Sequence, residues 1–132
     1  MRTILCFAVL AGVLLGCERQ PERGAVSGTV RFDGQLLADG VIRFEPRTGN
    51  VRGVTAIVVN GRYELSASDG PTVGTHRVEI TAYRPGPKVQ ARGGTQMNET
   101  REQYLPEQFN IDSTLSADVR PGANTFDFDL KP

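Results

Sequence analysis

The sequence predicts an all-β chain of seven short strands folded as two packed antiparallel sheets, a β-sandwich, and three observations carry that expectation. Apolar and polar residues alternate with period two in run after run from Ala25 onward, the pattern of strands that bury one face. Turn formers separate the runs at Asp33-Gly34, Asp39-Gly40, Asn60-Gly61, Asp69-Gly70-Pro71 and Pro121-Gly122. The composition, with 15 Gly, 8 Pro and no Trp, suits many tight connections and little helix.

Ahead of the first strand lies a different kind of segment. Arg2 is followed by an apolar stretch from Ile4 to Leu15, then by the small Gly16 and by Cys17. A positive start, about a dozen apolar residues and a small residue at the cleavage point describe an export signal. The stretch falls short of the roughly 20 apolar residues a spanning helix needs. The run Leu14-Leu15-Gly16-Cys17 resembles the bacterial lipobox, with Leu15 its loosest position. The expected organisation is therefore a signal peptide over 1–16, a lipidated cysteine and tether over 17–24, and one sandwich domain over 25–132. The tether is charged and contains Pro21 and Gly24, so it has little to bury.

The strands follow in order. Val26, Val30 and Phe32 share one face against Ser27, Thr29 and Arg31, with Gly28 leaving a gap in the apolar row. Ile42 and Phe44 alternate with Val41, Arg43 and Glu45 in the second strand. Asn60-Gly61 is the clearest local signal, because a two-residue type I′ turn needs positive φ at both centres. It sets Val59 opposite Arg62 and puts Val54, Ala56, Val58, Tyr63 and Leu65 on one face, taken as core. His76, Val78, Ile80 and Ala82 then alternate with Thr75, Arg77, Glu79, Thr81 and Tyr83. The last two strands show Leu115, Ala117 and Val119, then Phe126, Phe128 and Leu130, as their inward residues.

One stretch breaks the pattern. From Arg84 to Asp112 the chain reads as a long connection that begins Pro85-Gly86-Pro87 and includes Gly93-Gly94. Connections of that length inside compact domains are uncommon and often functional. Within it Asn98 is placed to cap a short helical turn that runs through Tyr104 and stops at Pro106.

Two sets of motifs carry a family resemblance. The first runs Val26-Ser27-Gly28-Thr29-Val30-Arg31-Phe32-Asp33-Gly34, then Gly40-Val41-Ile42-Arg43-Phe44, Gly61-Arg62-Tyr63, and Gly74-Thr75-His76-Arg77-Val78. It resembles the carboxypeptidase regulatory-like or transthyretin-like sandwich, a prealbumin-like or immunoglobulin-like architecture. The second is Tyr104-Leu105-Pro106-Glu107-Gln108-Phe109-Asn110 and the ending from Gly122 to Leu130. With the lipobox, it is similar to the small lipoproteins of planctomycete bacteria. The resemblance implies a fold and an envelope location, and it implies no catalytic residues. Transthyretin relatives that hydrolyse hydroxyisourate use several His and Arg residues and a terminal Tyr-Arg-Gly-Ser. This chain has one His and ends Asp129-Leu130-Lys131-Pro132.

Charge and chemistry narrow the function further. The chain carries 15 basic and 15 acidic residues; losing 1–16 removes Arg2 alone and leaves 14 against 15. That balance gives no electrostatic case for nucleic acid. Cys6 lies in the leader and Cys17 would carry lipid, which leaves no thiol for a disulfide or metal site. No metal or other cofactor is expected. His76 is read as a packed structural residue, and Asp33, Asp39 and Asp69 as turn formers rather than calcium ligands. Asp127 and Asp129 read as a solvated strand face. Gly93-Gly94 lacks the Gly-Lys-Ser or Gly-Lys-Thr that follows in a phosphate loop. The expected function is a non-enzymatic, membrane-anchored envelope lipoprotein that serves as a structural or protein-interaction module. The alternative is a carbohydrate- or peptide-binding module that uses the 84–112 loop, with Tyr83 and Tyr104 as its contact surface.

Overall fold

The computed structural model describes residues 16–17 and 19–132; the apolar stretch Ile4 to Leu15 lies outside the described residues. Ten strands follow one another as β1 (Gly24–Phe32), β2 (Gln35–Leu36), β3 (Asp39–Pro46), β4 (Val54–Val59), β5 (Arg62–Leu65), β6 (Gly74–Gln90), β7 (Met97–Gln103), β8 (Ser116–Val119), β9 (Gly122–Thr125) and β10 (Phe128–Leu130). A single 3-10 turn at Glu107–Phe109 separates β7 from β8. All seven expected strands are present, as β1, β3, β4, β5, β6, β8 and β10. The short β2 and β9 and the longer β7 are additions.

The hydrogen-bonded path runs β10-β1-β5-β4-β3-β6-β7, and it curls around a single core in a sandwich-like arrangement. Neighbours along it are antiparallel, except that the chain's last two strands run parallel to β1. The alternation in the sequence explains which side faces inward. Val26, Val30, Ile42, Phe44, Ala56, Val58, Tyr63, Val78, Ile80 and Ala82 are all buried, and Val54, Leu65, Phe126 and Phe128 pack against them half-buried. Fully burying side chains of this size is worth about 1.5–3 kcal/mol each.

Asn60 and Gly61 take φ of 49° and 76°, and Val59 pairs with Arg62, as the turn chemistry requires. Asp33 and Gly34 take φ of 51° and 78° between β1 and β2. Asp39-Gly40 differs: it opens β3 instead of making a turn, and a Cβ on Gly40 would stand 2.6 Å from the Thr81 carbonyl. The pair is needed there for close approach of strands.

About half of the stretch 84–112 is strand, which corrects the reading of a long loop. Its first part extends β6 to Gln90, its middle is β7, and the two form a ribbon with a bulge between Pro85 and Lys88. The helical turn expected from Asn98 to Tyr104 is therefore absent. A seven-residue helix closes too few internal hydrogen bonds to offset its nucleation cost, whereas the same residues laid beside β6 find a partner along their length. Pro106 is the N-cap residue of the 3-10 turn rather than the end of a helix.

The second edge of β6 is sealed piecewise. β8 pairs with Gly74 to Arg77, then the Val78 N–H donates to the Leu115 carbonyl (2.9 Å). Beyond it the Ser113 hydroxyl donates to the Val78 carbonyl and the Asn110 amide to that of Ile80. The Tyr104 N–H reaches the Ala82 carbonyl (3.1 Å) before β7 takes over. At the seam between β8 and β9, Asn124 accepts from the Arg120 N–H (2.9 Å) and donates to the carbonyls of Arg120 (2.8 Å) and Ala25 (3.0 Å). Side chains and non-strand backbone together thus extend the ladder along this edge and at this seam.

Candidate functional site

Cys17 is exposed, and Arg19 to Glu22 are exposed and outside regular structure. Order begins earlier than the sequence boundary at Ala25. The Val73 N–H donates to the Glu22 carbonyl (2.8 Å), the Gly24 N–H to that of Pro71 (3.0 Å), and the Arg23 guanidinium to that of Gly70 (2.7 Å). Gly70 is required at this junction, because a Cβ there would sit inside the Gly24 carbonyl. Only Cys17 to Pro21 therefore span the gap between the thiol and the domain. Fully extended, five residues reach about 17 Å. Among the described residues no helix is long and apolar enough to cross a membrane.

The two tyrosines occupy the base of the β6–β7 ribbon, on opposite sides. Tyr83 pairs with Gln103 and Arg84 with Glu102, so Tyr104, one residue beyond Gln103, shares the face of Arg84. Each ring is covered by an arginine of the neighbouring strand: Arg101 lies 5.1 Å from the Tyr83 centroid and Arg84 5.3 Å from that of Tyr104. Arg101 also pairs with Asp39 on β3, and Arg84 with Glu102 at 3.3 Å. Tyr104 meets Phe32 edge-on at 6.2 Å. Tyr83 lines a depression with Asp39, Pro85 and Arg101, whereas Tyr104 lines a separate one with Phe32 and Leu37. The structure does not bring them together as one contact surface.

A shallow concavity of about 630 Å³ lies on the outer face of β1, β4 and β5, lined by Thr29, Ile57, Val59, Arg62, Glu64 and Asp127 among others. Its floor is Gly28, where a Cβ would overlap the Phe126 carbonyl. The gap left by Gly28 is therefore filled by backbone. The Tyr63 hydroxyl donates to that same carbonyl (2.5 Å). Burial, and then the negative charge of Asp127, push the Tyr63 phenol well above its ordinary value near 10. It stays a protonated donor. Asp127 accepts from both the N–H (2.8 Å) and the hydroxyl (3.0 Å) of Thr29, so it closes a ladder gap between β9 and β10. Asp129 is exposed.

His76 is buried, with Nδ1 3.0 Å from the Gly74 carbonyl and Nε2 without a partner. It faces the core and orients no nucleophile. Asp69 accepts from Ser66 (3.1 Å) within its turn. Among the described residues no group of three or more His, Cys, Asp or Glu side chains is placed to hold a metal ion.

One of the most heavily bonded polar side chains is an outward residue of β6. Arg77 donates to the carbonyls of Ser113 (3.0 Å), Asn110 (3.1 Å) and Ile111 (2.6 Å), and pairs with Glu79 at 2.6 Å. It clamps the segment after the 3-10 turn against β6. In the sequence it is one outward residue of an alternating strand, and nothing local distinguishes it from Arg43 or Arg31. Comparison with known proteins gives no matching family, no matching curated protein and no matching solved structure.

Proposed function

We propose that this chain is a lipid-anchored protein of the bacterial cell envelope, held to the membrane through Cys17, whose sandwich serves as a non-enzymatic structural or protein-interaction module. The observation that carries the reading is the run Leu14-Leu15-Gly16-Cys17 at the end of an apolar stretch. Its support from the fold is positional: the cysteine is exposed, and four residues separate it from the first pinned residue, Glu22. A thioether-linked lipid there would hold the domain against the bilayer surface. The lone buried histidine, turned toward a backbone carbonyl, favours a module without chemistry of its own.

The test is Cys17→Ala in the full chain. The expected result is accumulation of the uncleaved, unacylated protein and its loss from the lipid-modified membrane fraction; globomycin, which blocks the lipoprotein signal peptidase, should cause uncleaved protein to accumulate in the wild type. Unchanged processing and fractionation in both would overturn the reading. A second reading, ligand binding along 84–112, is favoured in its peptide form by the open β6–β7 ribbon. The separated, arginine-covered tyrosines do not favour a sugar platform.

A further inference from the structure

Past Tyr83 the β6–β7 ribbon leaves the curled sheet and carries two outer edges. The β6 edge is blunted: Pro85 and Pro87 offer no N–H, and the bulge between Pro85 and Lys88 breaks its register. The β7 edge, MNETREQ, holds neither Pro nor Gly over its 7 residues, and among the described residues β6 is the only strand paired with it. Unpaired strand edges present donors and acceptors ready for another strand.

We propose that β7 pairs antiparallel with β7 of a second copy of this chain, about a twofold axis at Thr100. Charge register carries the argument. Antiparallel pairing centred on Thr100 sets Glu99 opposite the partner's Arg101, and Arg101 opposite the partner's Glu99. Thr100 meets the partner's Thr100 on the other face. Opposite-charge and Thr–Thr pairs are among the favourable cross-strand combinations. Centring the pair on Glu99 or on Arg101 instead brings identical charges together across the axis. The same charges that repel an arbitrary strand therefore select this partner and this register.

The cation of the pair is already positioned, because Arg101 rests over the Tyr83 ring at 5.1 Å and pairs with Asp39. Less ordering is then required when the second strand arrives. The twofold axis stands normal to the ribbon. Two copies on one bilayer would thus pair with their strands along the lipid surface and both tethers at one height. The pairing itself does not depend on lipid at Cys17, and its test is independent of that reading.

The experiment is molar mass by light scattering on the purified full chain through a dilution series at low salt. The wild type is expected to pass from dimer to monomer on dilution. Glu99→Lys alone and Arg101→Glu alone each create two like-charge pairs, and each should weaken dimerisation about tenfold or more. Mixing the two variants in equal amounts restores both opposite-charge pairs, so the mixture should regain dimer. In a Cys6→Ser, Cys17→Ser background, a separate Thr100→Cys variant should give a covalent dimer on mild oxidation that Thr48→Cys, in the exposed β3–β4 loop, does not. A wild type that is monomeric throughout, a dimer indifferent to both charge reversals, or a mixture that stays dissociated would each overturn the proposal. Thermal melts of the variants guard against loss of fold, and Thr100→Cys tests the contact with both charges in place.

Discussion

The strands from Gly24 to Leu65 and the segment from Tyr104 to Leu130 close the same core by different means. In the first region, backbone pairs with backbone: β3 lies against β4 through six residue pairs and β5 against β1 through four. In the second, side chains stand in for missing strand. Asn110, Ser113, Asn124 and Asp127 each bond backbone groups that a ladder would otherwise satisfy, and Arg77 gathers three carbonyls into one cation. A buried, unsatisfied backbone group costs about as much as a lost hydrogen bond. The difference teaches that the C-terminal third depends on individual polar residues far more than the N-terminal half does.

Gly28 is one point where the two regions touch, between the β9 and β10 pairings with β1, and its replacement is the most severe way to break the comparison. Gly28→Ala drives a methyl into the Phe126 carbonyl and must displace the start of the C-terminal closure from β1. A loss of about 3 kcal/mol or more in denaturant unfolding is expected. Stability within about 0.5 kcal/mol of wild type would mean that Phe126 does not lie over β1 as described.

Arg77→Ala sharpens the contrast. It leaves three carbonyls without their charged donor, at a cost of about 2–3 kcal/mol. An outward arginine would then matter as much as a core valine. Hydrogen exchange should show faster opening of residues 110–115, while β3 and β4 keep their protection. Equal loosening of both regions would erase the distinction.

The smallest effect concerns Tyr63, which bonds across the two regions to Phe126. Its phenol is raised by burial, so the folded state favours the protonated form. The associated stability is fully present below the unfolded-state value near 10 and is lost as pH rises toward the folded-state value. Tyr63→Phe should cost about 1 kcal/mol at neutral pH and flatten the fall in unfolding midpoint above about pH 10. An alkaline slope identical to wild type would assign it to other groups.

Much of the first region was legible. Asn60-Gly61 specified its turn because only a few residues tolerate positive φ, and the five inward residues of β4 and β5 followed from period-two alternation. The ribbon was not legible, because prolines, glycines and charges resemble a loop until β6 is there to pair with. Asn98 resembled a cap for the same reason: local propensity favoured a helical turn, and a neighbouring strand overrode it. Of the candidate site, the position of Cys17 was plain in the sequence. That Tyr83 and Tyr104 face opposite sides was not, since one stands on β6 and the other just past β7, and only register relates them.

What the chain of residues determined by itself was the set of strands, their buried faces and their tightest turns, because alternation and backbone preference act between near neighbours. What only the tertiary structure decided was the parallel return of β9 and β10 to β1, the polar side chains that help complete the ladder, and the open edge at β7. Those depend on which backbone groups are still unpaired after the sheet has curled, and contacts between residues as far apart as Thr29 and Asp127 leave no periodic mark in the sequence.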